Sequence, residues 1–391
     1  RDRSPSRGLG DVYKRQSQHY GAKNNKLVSI CVHTSIAFSL IVGFIVSILG
    51  IILSKTMLAN MNIPDDMMSM ALPYLQIYFL GLAPNLIYNM GAGLLRAVGD
   101  SKTPLIFLVI SCFVNIVLDI ILIRYMNMGV TGAAVATVTS QIISAILVIT
   151  VLYRRDDALK LRLKSLKINF SELGKMISIG TAAGMQSAMY TIANILIQAS
   201  INSLGTDTIA AFTAYGKIDT LFWMTIQSLG ISVTTFTGQN FGYGNKERVK
   251  KGIIYGMILS VVVTVIVMAM LKLFGRSIYT LFTKDENVLK IGTDMLNFMV
   301  VAFPTYIIIE IFSGSLRGIG DSWIPMIMTA GGVCVLRIVW IIVMVPKFPN
   351  FYTILWAYPL SWIITSTLFL IYMFGFSKMK LWLKSNIYVI D

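Results

Sequence analysis

Ten stretches of this chain stay apolar for roughly 20 residues, the length at which an α-helix crosses ~30 Å of hydrocarbon. They cover 29–54, 72–96, 104–124, 129–153, 174–202, 209–237, 251–274, 290–314, 324–346 and 352–376. Inside lipid every backbone polar group needs an internal partner, so such a chain folds as a bundle of membrane-spanning helices. Composition agrees. Apolar residues make up 55% and charged residues 13% of the 391, whereas a soluble domain carries about 25% charged. A larger core cannot explain the shortfall, because a larger sphere still needs a solvated surface. Soluble enzymes, disordered chains and nucleic-acid partners are thereby excluded, despite a net charge of +15. Cys31, Cys112 and Cys334 lie in apolar stretches. They are too scattered for a disulfide framework or a metal cluster and read as packing residues.

The connectors are short and hold breakers, among them Pro64, Gly99, Gly129, Gly205, Gly320 and Pro349. Only 154–173 is long and basic, with Arg154, Arg155, Lys160, Arg162, Lys164 and Lys167, and it divides the chain into two lobes. Alternate connectors share a membrane side. One set carries 19 Lys and Arg and the other 7, so the bias of basic residues toward the cytoplasm places the richer set and the C-terminus there. The expected organisation is a leader over 1–16, a first lobe over 17–153, the linker 154–173, a second lobe over 174–376 and a tail over 377–391. The linker reads as a tether whose Leu159, Leu161, Leu163 and Leu166 lie on anionic headgroups.

Two pieces of the chain repeat. GAGLLRAVGDSKTP at 91–104 shares seven of fourteen positions with FSGSLRGIGDSWIP at 312–325. SQHYGAKNNKLV at 17–28 pairs with GQNFGYGNKERV at 238–249 through Gln18/Gln239, Gly21/Gly242, Asn24/Asn245 and Val28/Val249. Both pairs are 221 residues apart. Mates on the same membrane side make this a parallel repeat of two pseudo-symmetric bundles. Within it, Arg96 and Arg317 close spans at the headgroup level. The Gly-Asp-Ser triplets after them supply turns and caps, and Pro104 and Pro325 open the next helices. By the same offset, 1–16 stands where the end of an apolar helix belongs, yet holds five bases. The expectation is a foreign leader on a chain lacking two N-terminal helices, with ten spans of twelve present.

The LRAVGDSKTP and LRGIGDSWIP corners, the SQHYGA and TGQNFGYGN loops and the stretch AAFTAYGKIDTLFWM at 210–224 resemble the MATE (multidrug and toxin extrusion) family, nearest its bacterial branches. The resemblance runs from about residue 17 to the end. It implies twelve helices in two six-helix lobes and export of drugs or organic cations by Na⁺ or H⁺ antiport across the bacterial inner membrane. Where family members carry essential carboxylates in the fifth and eighth spans present here, this chain has Tyr190 and Tyr306, so that cation site does not carry over.

An ionisable side chain inside a span costs ~2.5–3.5 kcal/mol or more to insert, which makes it a functional candidate. Asp119 lies mid-span, one turn from Asn115, with which it is expected to bond. Glu310 lies about two turns from its helix end, and its repeat mate is the neutral Asn89, on one face with Asn85. That asymmetry points to Glu310 and Asp119 as ion-coupling residues. Lys217 and Asp219 occupy the sixth span, and either is a candidate partner for Glu310. Asn194 and Gln198 share a face of the fifth span. With Asn89, Asn115, Tyr190 and Tyr306 these are the candidate cavity residues, and Arg337 reads as a counter-ion. The expected protein is a monomeric antiporter without cofactor, exporting small organic cations by alternating access of its two lobes. A saccharide-lipid flippase would need several basic residues at depth, against only Lys217 and Arg337 here. An embedded enzyme would need a nucleophile–base pair or metal ligands at depth, and the expectation is that no cluster of His, Cys and carboxylate exists. His33 reads as an interfacial polar residue.

Overall fold

The computed structural model describes residues 13–60 and 65–384, which are helical with no strand. The chain divides into two compact units, residues 1–180 and 181–391. In the first, α1 (Tyr13–Gly21) leads into α2 (Asn25–Asn60), α3 (Asp65–Leu80), α4 (Leu82–Ala97), α5 (Lys102–Asp119) and α6 (Gly129–Arg154). Helix α7 (Phe170–Asn202) begins in the first unit and runs on in the second. It is followed by α8 (Thr206–Gly242), α9 (Lys246–Tyr279), α10 (Glu286–Ala302), α11 (Pro304–Gly318), α12 (Trp323–Thr329), α13 (Leu336–Met344), α14 (Phe351–Gly375) and the short α15 (Lys378–Lys384). All ten expected spans coincide with helices. The boundary drawn at 16 falls inside α1, while residues 1–12, the connector residue Pro64 and the tail beyond 384 lie outside the described residues.

Seven helical segments are singly long and apolar enough to cross a membrane, and the α10–α11 pair, bent by 50°, makes an eighth. The two expected spans that fall short are those in α7 and α8. At 33 and 37 residues they have ample length. Their apolar character is diluted by Gly, Ser, Thr, Asn and Gln, and by Lys217 and Asp219 in α8. Elsewhere apolar side chains turn outward, as Leu105, Ile106, Val109 and Phe113 do along α5. Only a hydrocarbon solvent accommodates so wide an exposed apolar face.

The repeat is written in the backbone as well as in the sequence. After α4 and after α11, Gly99 and Gly320 both adopt φ of +93°. There the amides of Gly99 and Gly320 bond the carbonyls of Arg96 and Arg317, each at 3.0 Å. The next amides, of Asp100 and Asp321, reach back to Leu95 and Leu316, again at 3.0 Å. This doubled closure around a left-handed residue ends a helix cleanly, and a glycine adopts it at no steric cost. Gly21 and Gly242 end α1 and α8 alike, and Asn24 and Asn245 cap the next helices by accepting from Leu27 and Arg248. Both units also carry a π-helical turn in equivalent helices, at Ile120–Tyr125 and Ala330–Val335.

The linker does not lie open on the surface. The segment bends at 157–159, where the Leu159 amide bonds Asp157 Oδ1 and the Lys160 amide bonds the Asp157 carbonyl, both at 3.0 Å. Leu159 and Leu161 point into the core of the first unit, against residues such as Leu152 and Val148, while Leu163 is exposed. His33 holds the segment. Its Nε2 accepts the Arg162 amide at 3.1 Å and its Nδ1 lies 2.7 Å from the Ser29 carbonyl. A backbone amide only donates, so Nε2 is the accepting nitrogen of this contact. It is a buried anchor rather than an interfacial residue.

In the second unit α8 and α11 approach at glycines. A Cβ on Gly314 would lie 2.8 Å from the Gly230 carbonyl oxygen, closer than packed atoms allow. Such small-residue contacts bring helices together where the surrounding lipid offers no hydrophobic drive. Gly314→Val is expected to overpack this contact and destabilise the unit by about 1–3 kcal/mol. Gly216→Ala, on the same helix but with open space around it, should leave stability unchanged or slightly raised. Thermal midpoints of the two detergent-solubilised variants check both statements.

Candidate functional site

The polar residues of the second unit converge on the face where α8 meets α11. Tyr190 on α7 and Tyr306 on α11, the two family positions lacking their carboxylates, bring their hydroxyls to 3.3 Å. Tyr306 in turn donates to Glu310 Oε2, one turn further on, at 3.5 Å. The other carboxylate oxygen lies 3.9 Å from Arg317 Nη2, while Arg317 Nε donates to the Ser313 carbonyl. Arg317 therefore turns inward along its own helix instead of reaching for headgroups. Two helical turns separate the pair, a distance that the long guanidinium arm covers. Glu310 rests on bare backbone, since a Cβ at Gly230 would land on its carboxylate.

Aromatic rings frame this chain of contacts. Trp223 meets Tyr306 edge-on at 4.7 Å and Trp362 at 5.8 Å, and Trp362 meets Tyr306 and Tyr358 at 5.6 and 5.7 Å. Arg337, buried, lies over the Tyr358 ring at 4.1 Å. The ring face partly offsets, by charge–quadrupole attraction, the water that this guanidinium gives up. Sequence reading picked out the tyrosines and Arg337. It missed Trp223 and Trp362, which look like ordinary span aromatics until the fold stacks them.

Neither Lys217 nor Asp219 partners Glu310. The glycine facing Glu310 is Gly230, 13 and 11 residues along the same helix, which is about 20 and 16 Å by helical rise. Asp219 is buried and accepts from Trp223 Nε1 at 2.5 Å, whereas Lys217 is exposed. Asn194 and Gln198 are half-buried on α7, and Gln198 donates to Asn202.

In the first unit, Asn89 donates to the side chain and carbonyl of Asn85, both at 2.8 Å. That pair fills the place Glu310 and Tyr306 occupy in the repeat. Asn115 and Asp119 share a face as expected but do not bond. Asn115 Nδ2 and Asp119 Oδ1 are both buried without a hydrogen-bond partner. Asp119 immediately precedes the π-helical turn, a local widening frequent at functional sites.

One cluster escaped the sequence altogether. His19, Cys31 and Glu172 place their ligand atoms within 4.8 Å of one another, with Cys31 packed in the core of the first unit. Lys175 and Arg15 approach Glu172 at 3.0 and 3.7 Å and help hold its carboxyl below the usual range against the cost of burial. Burial, and next the charge of Arg15, lower the pKa of His19.

Two helical units built on one parallel repeat, with polar side chains held inside apolar bundles, define a multi-pass membrane protein of the transporter type. Comparison narrows the class. Residues 14–121 and 182–343 match the MatE family model. The probable multidrug resistance protein YoeA of Bacillus subtilis is 26% identical over 319 residues, 80% of this chain and 69% of the relative. A probable multidrug resistance protein NorM of Thermotoga maritima is 26% identical over 333 residues, 84% of this chain and 71% of the relative. An FAD transporter of Shewanella oneidensis is 21% identical, covering 73% and 63%. Among solved structures, a MATE crystal structure in the bent conformation superposes with a TM-score of 0.90 at 21% identity, over 97% of this chain and 86% of that one. The chain belongs to the MATE family, a family of transporters and not of enzymes.

The contact between Gly230 and Glu310 supplies a test. Gly230→Ala should displace the carboxylate from Tyr306 and Arg317 and lower transport in vesicles as strongly as loss of the carboxylate itself. Gly216→Ala on the same helix should transport normally.

Proposed function

We propose that the protein is a secondary active exporter of drugs and small organic cations, driven by antiport of Na⁺ or H⁺ and working by alternating access. The observation that carries this reading is the carboxylate of Glu310, held inside an apolar helical unit between Tyr306 and Arg317. Its repeat mate is the neutral Asn89. A charge in that position is costly, and a structural role would be met by the asparagine that the other unit uses. The names of the relatives from Bacillus and Thermotoga support a drug-like cargo.

In this reading, binding of H⁺ or Na⁺ at Glu310 cancels its charge and loosens Arg317, changing which state of the protein is favoured. Only a ligand with different affinity for two states shifts their balance, and each tenfold bias takes about 1.4 kcal/mol. Asp119 acts as a second titrating group at the π turn of the first unit. Asn194, Gln198, Asn89, Asn115, Lys217 and Asp219 stand as the polar contacts for cargo. Tyr190 and Tyr306 stand with them, and Tyr306 also donates to Glu310. Basic connectors favour the cytoplasmic membrane with the C-terminus inside, and the monomer is the expected state.

The test is efflux of a fluorescent organic cation from proteoliposomes under separately imposed Na⁺ and H⁺ gradients. Glu310→Gln should abolish gradient-driven efflux with normal insertion, and wild-type transport would remove its coupling role. Asp119→Asn should lose part of the rate and flatten its pH dependence. An unaltered pH profile would count against Asp119.

A further inference from the structure

Three helices of the first unit meet at one layer of side chains. His19 comes from α1, Cys31 from α2 and Glu172 from the first turn of α7, and all three are at least nine-tenths buried. His19 Nε2 stands 3.5 Å from Glu172 Oε2, and Cys31 Sγ stands 3.9 Å from the same oxygen. A second layer lies one turn away. Gln16 Nε2 donates to Ser35 Oγ, and that hydroxyl donates to Met176 Sδ. The residue steps, 19 to 16, 31 to 35 and 172 to 176, are those of helices running side by side.

Three atoms here are buried without a hydrogen-bond partner: His19 Nε2, Gln16 Oε1 and Arg15 Nε. A buried polar atom left unmatched costs about 1–3 kcal/mol, so an unmatched imidazole nitrogen beside a thiol and a carboxylate calls for a ligand. Imidazole, thiolate and carboxylate are the donors that zinc takes, at 2.0–2.3 Å. Tetrahedral geometry at those lengths sets donors about 3.3–3.8 Å apart. The 3.5 and 3.9 Å separations need little contraction to meet it.

We propose that His19, Cys31 and Glu172 form a binding site for a zinc-class divalent cation at one end of the first unit. Binding expels the thiol proton of Cys31 to solvent and forms the metal–sulfur bond, with no change in oxidation state. Neutral His19, favoured by its burial, already presents a lone pair. Gln16 Oε1, one turn away, or water completes the coordination. The plain competitor is Arg15, whose Nε lies 3.7 Å from Glu172 Oε2. Lys175 bonds the opposite oxygen, Oε1, at 3.0 Å and leaves Oε2 available. Arg15 is partly exposed and tied by Nη1 to Gln18, so it has room to swing away when a metal enters. A bound ion would join α1, α2 and the start of α7.

Titration of the full chain in detergent with Co²⁺, a spectroscopic stand-in for zinc, tests the assignment independently of transport. The wild type should show the near-ultraviolet thiolate-to-cobalt band, abolished by added Zn²⁺ and absent from Cys31→Ser. His19→Gln should weaken binding by about 10- to 100-fold, the range seen when one supporting contact of a metal site is removed. Arg15→Gln should bind more tightly than wild type, because it deletes the competing cation at Oε2. The proposal is overturned if folded, monodisperse wild type and Arg15→Gln both lack the band. A band that persists in Cys31→Ser overturns it equally.

Discussion

The core of the second unit turns on missing side chains where α8 meets α11. Because positions 314 and 318 are glycine, the two helices close to backbone contact, with Gly314 against the Gly230 carbonyl and Gly318 against that of Thr234. The missing Cβ at Gly230, on the facing helix, leaves the space in which the Glu310 carboxylate sits. Close helix packing and the seat of the carboxylate thus rest on glycines of one interface. Tyr306 and Arg317 accompany that carboxyl group, since a carboxyl in an apolar unit needs polar partners. The edge-on rings of Trp223 and Trp362 then flank Tyr306, with Tyr358 behind Trp362.

The two units show how a repeat is made asymmetric. Their helix ends are nearly interchangeable, down to equal φ at Gly99 and Gly320 and equal closing bonds. Their interiors are not. Where one unit sets Asn89 against Asn85, a neutral pair satisfied by its own helix, the other sets Glu310 against Arg317. Where one has Asp119 at its π turn, its mate is Trp340, whose indole donates to the Thr353 carbonyl. Corners are fixed by backbone geometry, while interiors are free to take on a charge in one copy only.

Much of this was legible in the residues. Spans follow from local hydropathy, and corners from glycines whose backbone conformation few other residues tolerate, so both were read close to their observed limits. The family alignment singled out Tyr190 and Tyr306 separately as positions without their carboxylates, and the fold brings their hydroxyls together. What failed was register between helices. Spacing says that Lys217 and Asp219 lie on a helix beside Glu310, but not that their level is some 16–20 Å away by helical rise. Arg317 was read as facing headgroups because its position at a helix end is visible and its inward rotamer is not. His19, Cys31 and Glu172 span more than 150 residues, and no spacing rule joins them. The linker leucines were read as a membrane-facing stripe, whereas the turn at 157–159 and the bond from the Leu161 amide to the Leu152 carbonyl set Leu159 and Leu161 in the core.

The central claim is that Glu310 links ion binding to cargo movement rather than merely holding helices together. Downhill exchange of a labelled organic cation and uphill, gradient-driven accumulation, measured on the same Glu310→Gln proteoliposomes, separate the two roles. A coupling residue made permanently neutral should leave downhill exchange near the wild-type rate while uphill accumulation disappears. Parallel loss of both activities, or retention of both, would contradict the account.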